Sequence, residues 1–180
     1  AYPDRSLYRL AYRGAWAPHA ASPQAARLQR VDHVAGSAVE LNTTVGVPST
    51  AEGVTMTVTT DDDSATAVAA NVSEETPVRL TVTDESVRIH GASWDSTEPL
   101  PIDDRDDIVV NVFVDQGPGS SFSYRLELPV RTEGDTVRAL TPSVERCSSI
   151  RDCGGEAAYV PDQSPDGLFV RTELAVSDAN

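Results

Sequence analysis

The chain has 180 residues, a mass of 19.2 kDa and a formal net charge of −14, with 28 acidic residues against 14 basic ones. This length is typical of one domain with a core of its own. All the basic residues are arginine and they form no positive stripe, which argues against binding to nucleic acid or to an anionic membrane surface. The mean hydropathy is −0.28, and no window approaches the roughly 18 uninterrupted apolar residues of a membrane helix. A collagen-like fibre, a coiled coil and a disulfide-dense miniprotein are excluded as well.

The first 35 residues differ in composition from the rest and are predicted to form an N-terminal arm. Residues 7–13 are rich in aromatic and apolar side chains and end at Gly14, which predicts a first strand. Ser22 and Pro23 have the pattern of a helix N-cap followed by proline at the first helical position. A short helix of about two turns is therefore predicted over residues 25–31. We expect the arm either to pack on the rest of the chain or to insert into a partner.

Residues 36–180 are predicted to form one antiparallel β-sandwich of about ten strands, so the fold class is all-β. Turn signals recur roughly every 8 to 12 residues, and the crossover helices that a parallel sheet needs are missing. Val54, Met56 and Val58 alternate strictly with threonines, and the very apolar run 108–114 predicts a central strand. The other strands are predicted at residues 39–47, 65–72, 78–82, 87–89, 122–130, 137–140 and 168–176.

Cys147 and Cys153 flank a short polar segment followed by two glycines, a spacing that suits a small disulfide loop. A disulfide implies an oxidising compartment. The chain starts at Ala1 without a methionine, as a mature chain does after signal removal. We therefore expect a secreted or cell-surface protein. Asn42 and Asn71 lie in glycosylation sequons, which alone decide nothing.

The sequence predicts no catalytic residues and hence no enzyme. The histidines are His19, His33 and His90; Ser93 lies near the last of them, but no nucleophile-elbow motif is present. Nothing groups the histidines into a zinc site, and the sole methionine, Met56, lies at an apolar strand position that suits core packing better than copper binding.

Calcium is the one cofactor that the sequence suggests. Asp103, Asp104, Asp106 and Asp107 surround one arginine just before the run 108–114. Carboxylates are the oxygen ligands that calcium takes, and four so close together repel one another unless a positive charge neutralises them. The alternative is a solvated acidic turn.

Five residues are candidates for ligand contact. Aromatic side chains with one polar end suit sugar stacking and protein interfaces, and arginine suits an acidic specificity pocket. The candidates are Tyr8, Tyr12, Trp16, Trp94 and Arg151.

Two stretches have a generic resemblance to known secreted domains. The residues 108–114, 117–119 and 122–130 look like the closing hairpin of small sandwich modules appended to bacterial exoenzymes. Residues 7–16 are similar to the opening strand of spondin-type domains, without the histidine- and proline-rich stretch that would follow. Neither resemblance assigns a functional residue.

Together these features predict a non-enzymatic secreted or cell-surface module that contacts a protein or a glycan, with self-assembly through residues 1–18 as one route. The alternative is a secreted hydrolase or protease inhibitor whose loop 147–153 presents Ile150 and Arg151 to an active site. An enzyme with an unrecognised site is the remaining alternative.

Overall fold

A computed structural model describes residues 6–12, 26–91, 94, 98–147 and 167–177. Within these ranges the chain is all-β, with fourteen strands and no helix. The strands are β1 (Leu7–Tyr12), β2 (Ala26–Val31), β3 (His33–Gly36), β4 (Ala38–Gly46), β5 (Gly53–Thr59), β6 (Ser64–Val68), β7 (Glu75–Val82), β8 (Ser86–His90), β9 (Leu100–Pro101), β10 (Arg105–Asp115), β11 (Phe122–Glu133), β12 (Thr136–Leu140), β13 (Ser143–Cys147) and β14 (Val170–Ser177).

The strands form three antiparallel sheets. Strands β1 and β2 make a separate two-stranded sheet, here called the N-terminal hairpin. The large sheet has seven strands in the order β3-β12-β11-β10-β5-β6, with β13 pairing along β11 beyond the end of β12. The small sheet has five strands in the order β14-β4-β7-β8-β9.

The large and small sheets pack together over one hydrophobic core. In β10 the inward residues Ile108, Val110, Val112 and Val114 are fully buried, while the residues between them are partly exposed. Since side chains alternate across a strand, this pattern is what a two-faced strand gives. Strand β10 lies between β5 and β11, which confirms the predicted central strand, and Met56 is fully buried as predicted.

One buried hydrogen bond joins the two sheets directly. The Tyr124 hydroxyl on β11 donates to the carbonyl oxygen of Gly46 on β4 at 2.6 Å. Burial raises the pKa of this hydroxyl, so it remains a neutral donor. Gly46 N–H in turn donates to the Phe169 carbonyl oxygen at 2.8 Å, which ties the entry to β14 to the same point.

The predicted helix over residues 25–31 is wrong. Ala26–Val31 is strand β2, and it pairs with β1 over six residue pairs, from Leu7 opposite Val31 to Tyr12 opposite Ala26. A two-turn helix forms too few internal hydrogen bonds to offset the cost of nucleation, whereas β1 offers a complete partner strand. Nothing in the described part of the chain forms a helix that could span a lipid bilayer.

Three short strands, β3, β9 and β13, were not predicted. The prediction of about ten strands is therefore too low, and the N-terminal hairpin adds a third sheet to the expected two layers. Strand β3 spans the predicted boundary between residues 35 and 36 and pairs with β12 in the large sheet. The chain thus passes without interruption from the N-terminal hairpin into the edge of the large sheet.

Candidate functional site

The N-terminal hairpin exposes an apolar face. Tyr8 lies opposite Arg30 and Leu10 lies opposite Leu28, so these four residues share one side of the two-stranded sheet, here called the outer hairpin face. Tyr8 is 54% exposed, Leu10 48% and Leu28 68%. The predicted contact residue Tyr8 is thus accessible, while Tyr12 is the last residue of β1. Large apolar side chains grouped on one exposed face are typical of an interaction surface.

The opposite face of the N-terminal hairpin carries Arg9, which holds it to the connection between β12 and β13 of the large sheet. Ala11 is completely buried, and the Arg9 guanidinium donates from Nη2 to the carbonyl oxygens of Thr141 and Pro142, the latter at 2.9 Å. Burial lowers the pKa of Arg9, while the Glu127 carboxylate acts in the opposite direction. Arg9 therefore fastens β1 to the connection between β12 and β13.

Arg9→Ala is expected to loosen the N-terminal hairpin without unfolding the two larger sheets. A hydrogen bond from a charged group contributes about 1.5–3 kcal/mol, so amide exchange in β1 and β2 should accelerate by about tenfold or more. Hydrogen-exchange mass spectrometry measures this directly. Arg30→Ala is the matched control, because Arg30 is exposed and pairs only with the exposed Asp32 in the described structure. Equal acceleration in both variants would contradict the role assigned to Arg9.

The arm and the rest of the chain carry net charges of opposite sign. Residues 1–35 hold five arginines and two aspartates, a net charge of +3. The remaining 145 residues hold nine arginines and 26 acidic residues, a net charge of −17. The outer hairpin face therefore belongs to a basic segment attached to a strongly acidic body, and it suits an acidic partner surface.

The four carboxylates proposed as calcium ligands do not share one environment. Asp106 is 4% exposed, and its Oδ1 accepts the N–H of Asp61 at 3.1 Å, whereas Asp103, Asp104 and Asp107 are exposed. Among the described residues no group of three histidine, cysteine or acidic side chains is placed to hold a metal ion. Asp106 and Asp107 lie within β10, and Asp106 accepts from the backbone of the turn that holds Asp61. Calcium binding by these four residues stays a prediction.

Asp106 is expected to make the stability of the fold depend on pH. Burial raises its pKa, and the neighbouring carboxylates of Asp61 and Asp103 raise it further. Backbone hydrogen bonds to the carboxylate act in the opposite direction, but the net effect is a raised pKa. An acid whose pKa is higher in the folded than in the unfolded state binds its proton more tightly when folded. Its ionisation therefore destabilises the fold as pH rises through the folded-state pKa.

Asp106→Asn should raise the Tm at pH 7, because the amide keeps an acceptor for the Asp61 N–H and carries no charge at any pH. The difference from the wild type should shrink as pH falls and vanish below about pH 3.8, the ordinary pKa, where the carboxyl is protonated in both states. Thermal melts from pH 3 to 8 measure this, with Asp135→Asn in an exposed turn as a control for the lost charge. A gain in Tm that is the same at every pH would contradict the assignment.

The other predicted contact residues divide into two groups. Trp94 is 6% exposed, it belongs to the core, and its Nε1 donates to the Pro77 carbonyl oxygen at 2.7 Å. Its ring is thus engaged in packing and does not form a surface platform. Trp16 and Arg151 lie outside the described residues. The same holds for most of loop 147–153, which the inhibitor hypothesis requires.

Cys147 ends β13 and is completely buried. It is not a free thiol, and no free cysteine occurs in the described ranges. Its predicted partner, Cys153, lies outside those ranges, so the Cys147–Cys153 bridge stays a prediction.

Sequence reasoning missed one cluster of charged residues. Arg105 lies opposite Arg131, and Arg131 lies opposite Arg138, so three arginines from β10, β11 and β12 form a row on the outer side of the large sheet. The residues are 26 and 7 positions apart in sequence, and only the strand register brings them together. The alternation of apolar residues predicts these strands but not their register. The row could have been predicted only if the position of each hairpin turn had been known without an error of one residue.

Comparison with known proteins gives a family but no activity. No curated protein and no solved structure matches the chain. A family model described as a domain of unknown function matches residues 1–128, which include the N-terminal hairpin and the strands through β10. Because the match covers well over half of the chain, the protein belongs to this family, DUF7846.

Proposed function

We propose that the protein is a non-enzymatic secreted or cell-surface β-sandwich module that assembles with other copies of itself through the outer hairpin face. The observation that carries the proposal is the exposure of Tyr8, Leu10 and Leu28 on that face. Seven large hydrophobic side chains are exposed in the described part of the chain, and four of them belong to the 12 residues of the N-terminal hairpin: three on the outer hairpin face and Leu7 on the opposite face. This concentration favours an interaction surface over the scattered apolar residues of any protein surface.

Charge favours a second copy as the occupant. The arm carries a net charge of +3 and the rest of the chain −17, so the arm of one copy is attracted to the acidic body of another. Such a contact is heterologous, because two different surfaces meet, and it can propagate into rings or filaments. An extracellular assembly of this kind agrees with the predicted Cys147–Cys153 bridge, which needs an oxidising compartment.

Light scattering coupled to size exclusion tests self-assembly. At about 0.1–1 mM protein, which populates contacts with a Kd of roughly 1 mM or tighter, we expect masses above the 19.2 kDa of one chain. Leu10→Ser combined with Leu28→Ser should restore a single-chain mass by removing the apolar contact. Raising NaCl to about 0.5 M should also lower the mass, because salt screens attraction between exposed charges.

Val176→Ser is the matched control, since Val176 is 50% exposed but lies on β14, in the small sheet. It should assemble as the wild type does. A wild-type mass of one chain across the whole concentration range would refute self-assembly. An equal loss of mass in the control would refute the outer hairpin face as the contact.

A further inference from the structure

A cleft on the outer side of the large sheet is lined by a row of positively charged side chains. Its volume is about 450 Å³, within the range of small-molecule sites, roughly 300–1,000 Å³. The arginine row of Arg105, Arg131 and Arg138 lines one side of it. Pro129 of β11 and Leu140 of β12 also line the cleft, two residues along their strands from Arg131 and Arg138, and they provide an apolar floor.

Two arginines of the row have no ion-pair partner among the described residues. Arg138 pairs with Glu133 at 3.2 Å. By contrast, no acidic oxygen of the described residues lies within 4.0 Å of the guanidinium groups of Arg105 and Arg131. Like charges placed directly opposite each other on neighbouring strands are destabilising. The chain has twice as many acidic as basic residues, so two adjacent unpaired arginines do not reflect a shortage of carboxylates.

The acidic residues that line the cleft do not neutralise this pair. Asp106 is buried and its Oδ1 accepts the backbone N–H of Asp61. Asp107 lies opposite Pro129, in the neighbouring row. Asp107 and Asp61 are exposed, and neither forms an ion pair with the arginines within the described structure. The two guanidinium groups therefore remain available to an acidic group from outside.

We infer that this cleft binds a small organic carboxylate, with the acid group held by Arg105 and Arg131 and its apolar part against Pro129 and Leu140. The planar guanidinium presents a fork of donors that matches a carboxylate in a bidentate geometry. The floor then removes the apolar part of the ligand from water. This inference does not depend on self-assembly, because the cleft is lined by residues of β3, β10, β11 and β12 and by Asp61, and includes no residue of the N-terminal hairpin.

Benzoate and benzamide test the inference as a matched pair of probes, because they share the apolar ring and differ in charge. In a titration followed by ¹H–¹⁵N NMR, benzoate should shift the amide signals of residues 130–131 and 138–140, and benzamide should not. Arg131→Gln should weaken benzoate binding by about tenfold or more, as expected for loss of a charge-assisted hydrogen bond. Arg105→Gln should weaken benzoate binding to a similar extent. The second variant keeps the test decisive if one of the two does not fold.

Arg88→Gln is the control, because Arg88 is exposed on β8 in the small sheet and also lacks an ion pair in the described structure. It should bind benzoate as the wild type does. Equal shifts with benzamide would overturn the role of the arginines. Binding of inorganic phosphate as tight as that of benzoate would overturn the role of the apolar floor, and unchanged binding in both Arg131→Gln and Arg105→Gln would overturn the site.

Discussion

Gly46→Ala is expected to lower the free energy of unfolding by about 3 kcal/mol, the upper end of the usual cost of inserting a methyl group into a packed site. A Cβ at this position would overlap the Gly167 carbonyl oxygen and lie 2.6 Å from Phe169 Cδ1 and 2.8 Å from the Phe169 backbone nitrogen. Two of these atoms belong to the backbone, so no rotamer change relieves the overlap. The hydrogen bonds of Gly46 to Tyr124 and Phe169 hold it in place from both sides.

Thermal unfolding measures the effect, and a loss of about 3 kcal/mol corresponds to a Tm lower by about 6–12 °C in a chain of this size. Gly53→Ala is the matched control, because Gly53 begins β5 and a Cβ there has no atom within 4 Å. Its stability should stay within about 0.5 kcal/mol of the wild type. Equal Tm values for the two variants would show that the contact between Gly46 and the entry to β14 is not rigid.

The strands that were predicted carry their burial signal in their own residues. In β5, Val54, Met56 and Val58 face the core and the threonines between them do not, so the alternation is visible without knowledge of the partner strand. The long strands β10 and β11 show the same pattern over eleven and twelve residues. Such segments are predictable because one face of each must be buried, whatever packs against it.

The segments that were mispredicted depend on partners distant in sequence. Ala26–Val31 has a local helix signal that is overridden by pairing with β1. Strand β13 buries Glu145 and leaves Val144 partly exposed, so its sequence shows no apolar alternation, and its position is set by pairing with β11. Neither segment shows in its own residues which face it buries.

The contact residues show the same division. Tyr8 is a candidate because of its residue type, but its exposure depends on the opposite face of β1 carrying the attached Arg9 and the buried Ala11. The row formed by Arg105 and its two neighbours depends on two strand registers at once. Residue type alone could therefore predict a contact residue of the outer hairpin face, but it could not predict the cleft lined by the arginine row.

Trp94→Ala is expected to cost about 3–5 kcal/mol of stability, the range for removing a buried aromatic side chain from a core. The indole is 6% exposed and belongs to the core cluster. Its backbone is fixed as well, by a bridge to Ala69 and by donation of its N–H to the Gly91 carbonyl oxygen at 3.2 Å. The surrounding structure therefore has little freedom to collapse into the space left by the ring.

Trp94→Phe separates the two contributions of this side chain. Phenylalanine retains most of the apolar bulk but cannot donate to the Pro77 carbonyl oxygen, so we expect an intermediate loss of about 1–3 kcal/mol. Urea unfolding measures both losses, and Val72→Ala, at a position 40% exposed, should change stability by less than about 0.5 kcal/mol. If Trp94 acts only in packing, Trp94→Phe should also assemble to the same mass as the wild type. If Trp94→Phe kept the wild-type stability but lost assembly, Trp94 would be a contact residue after all, because substitution of a core residue lowers the stability of the fold.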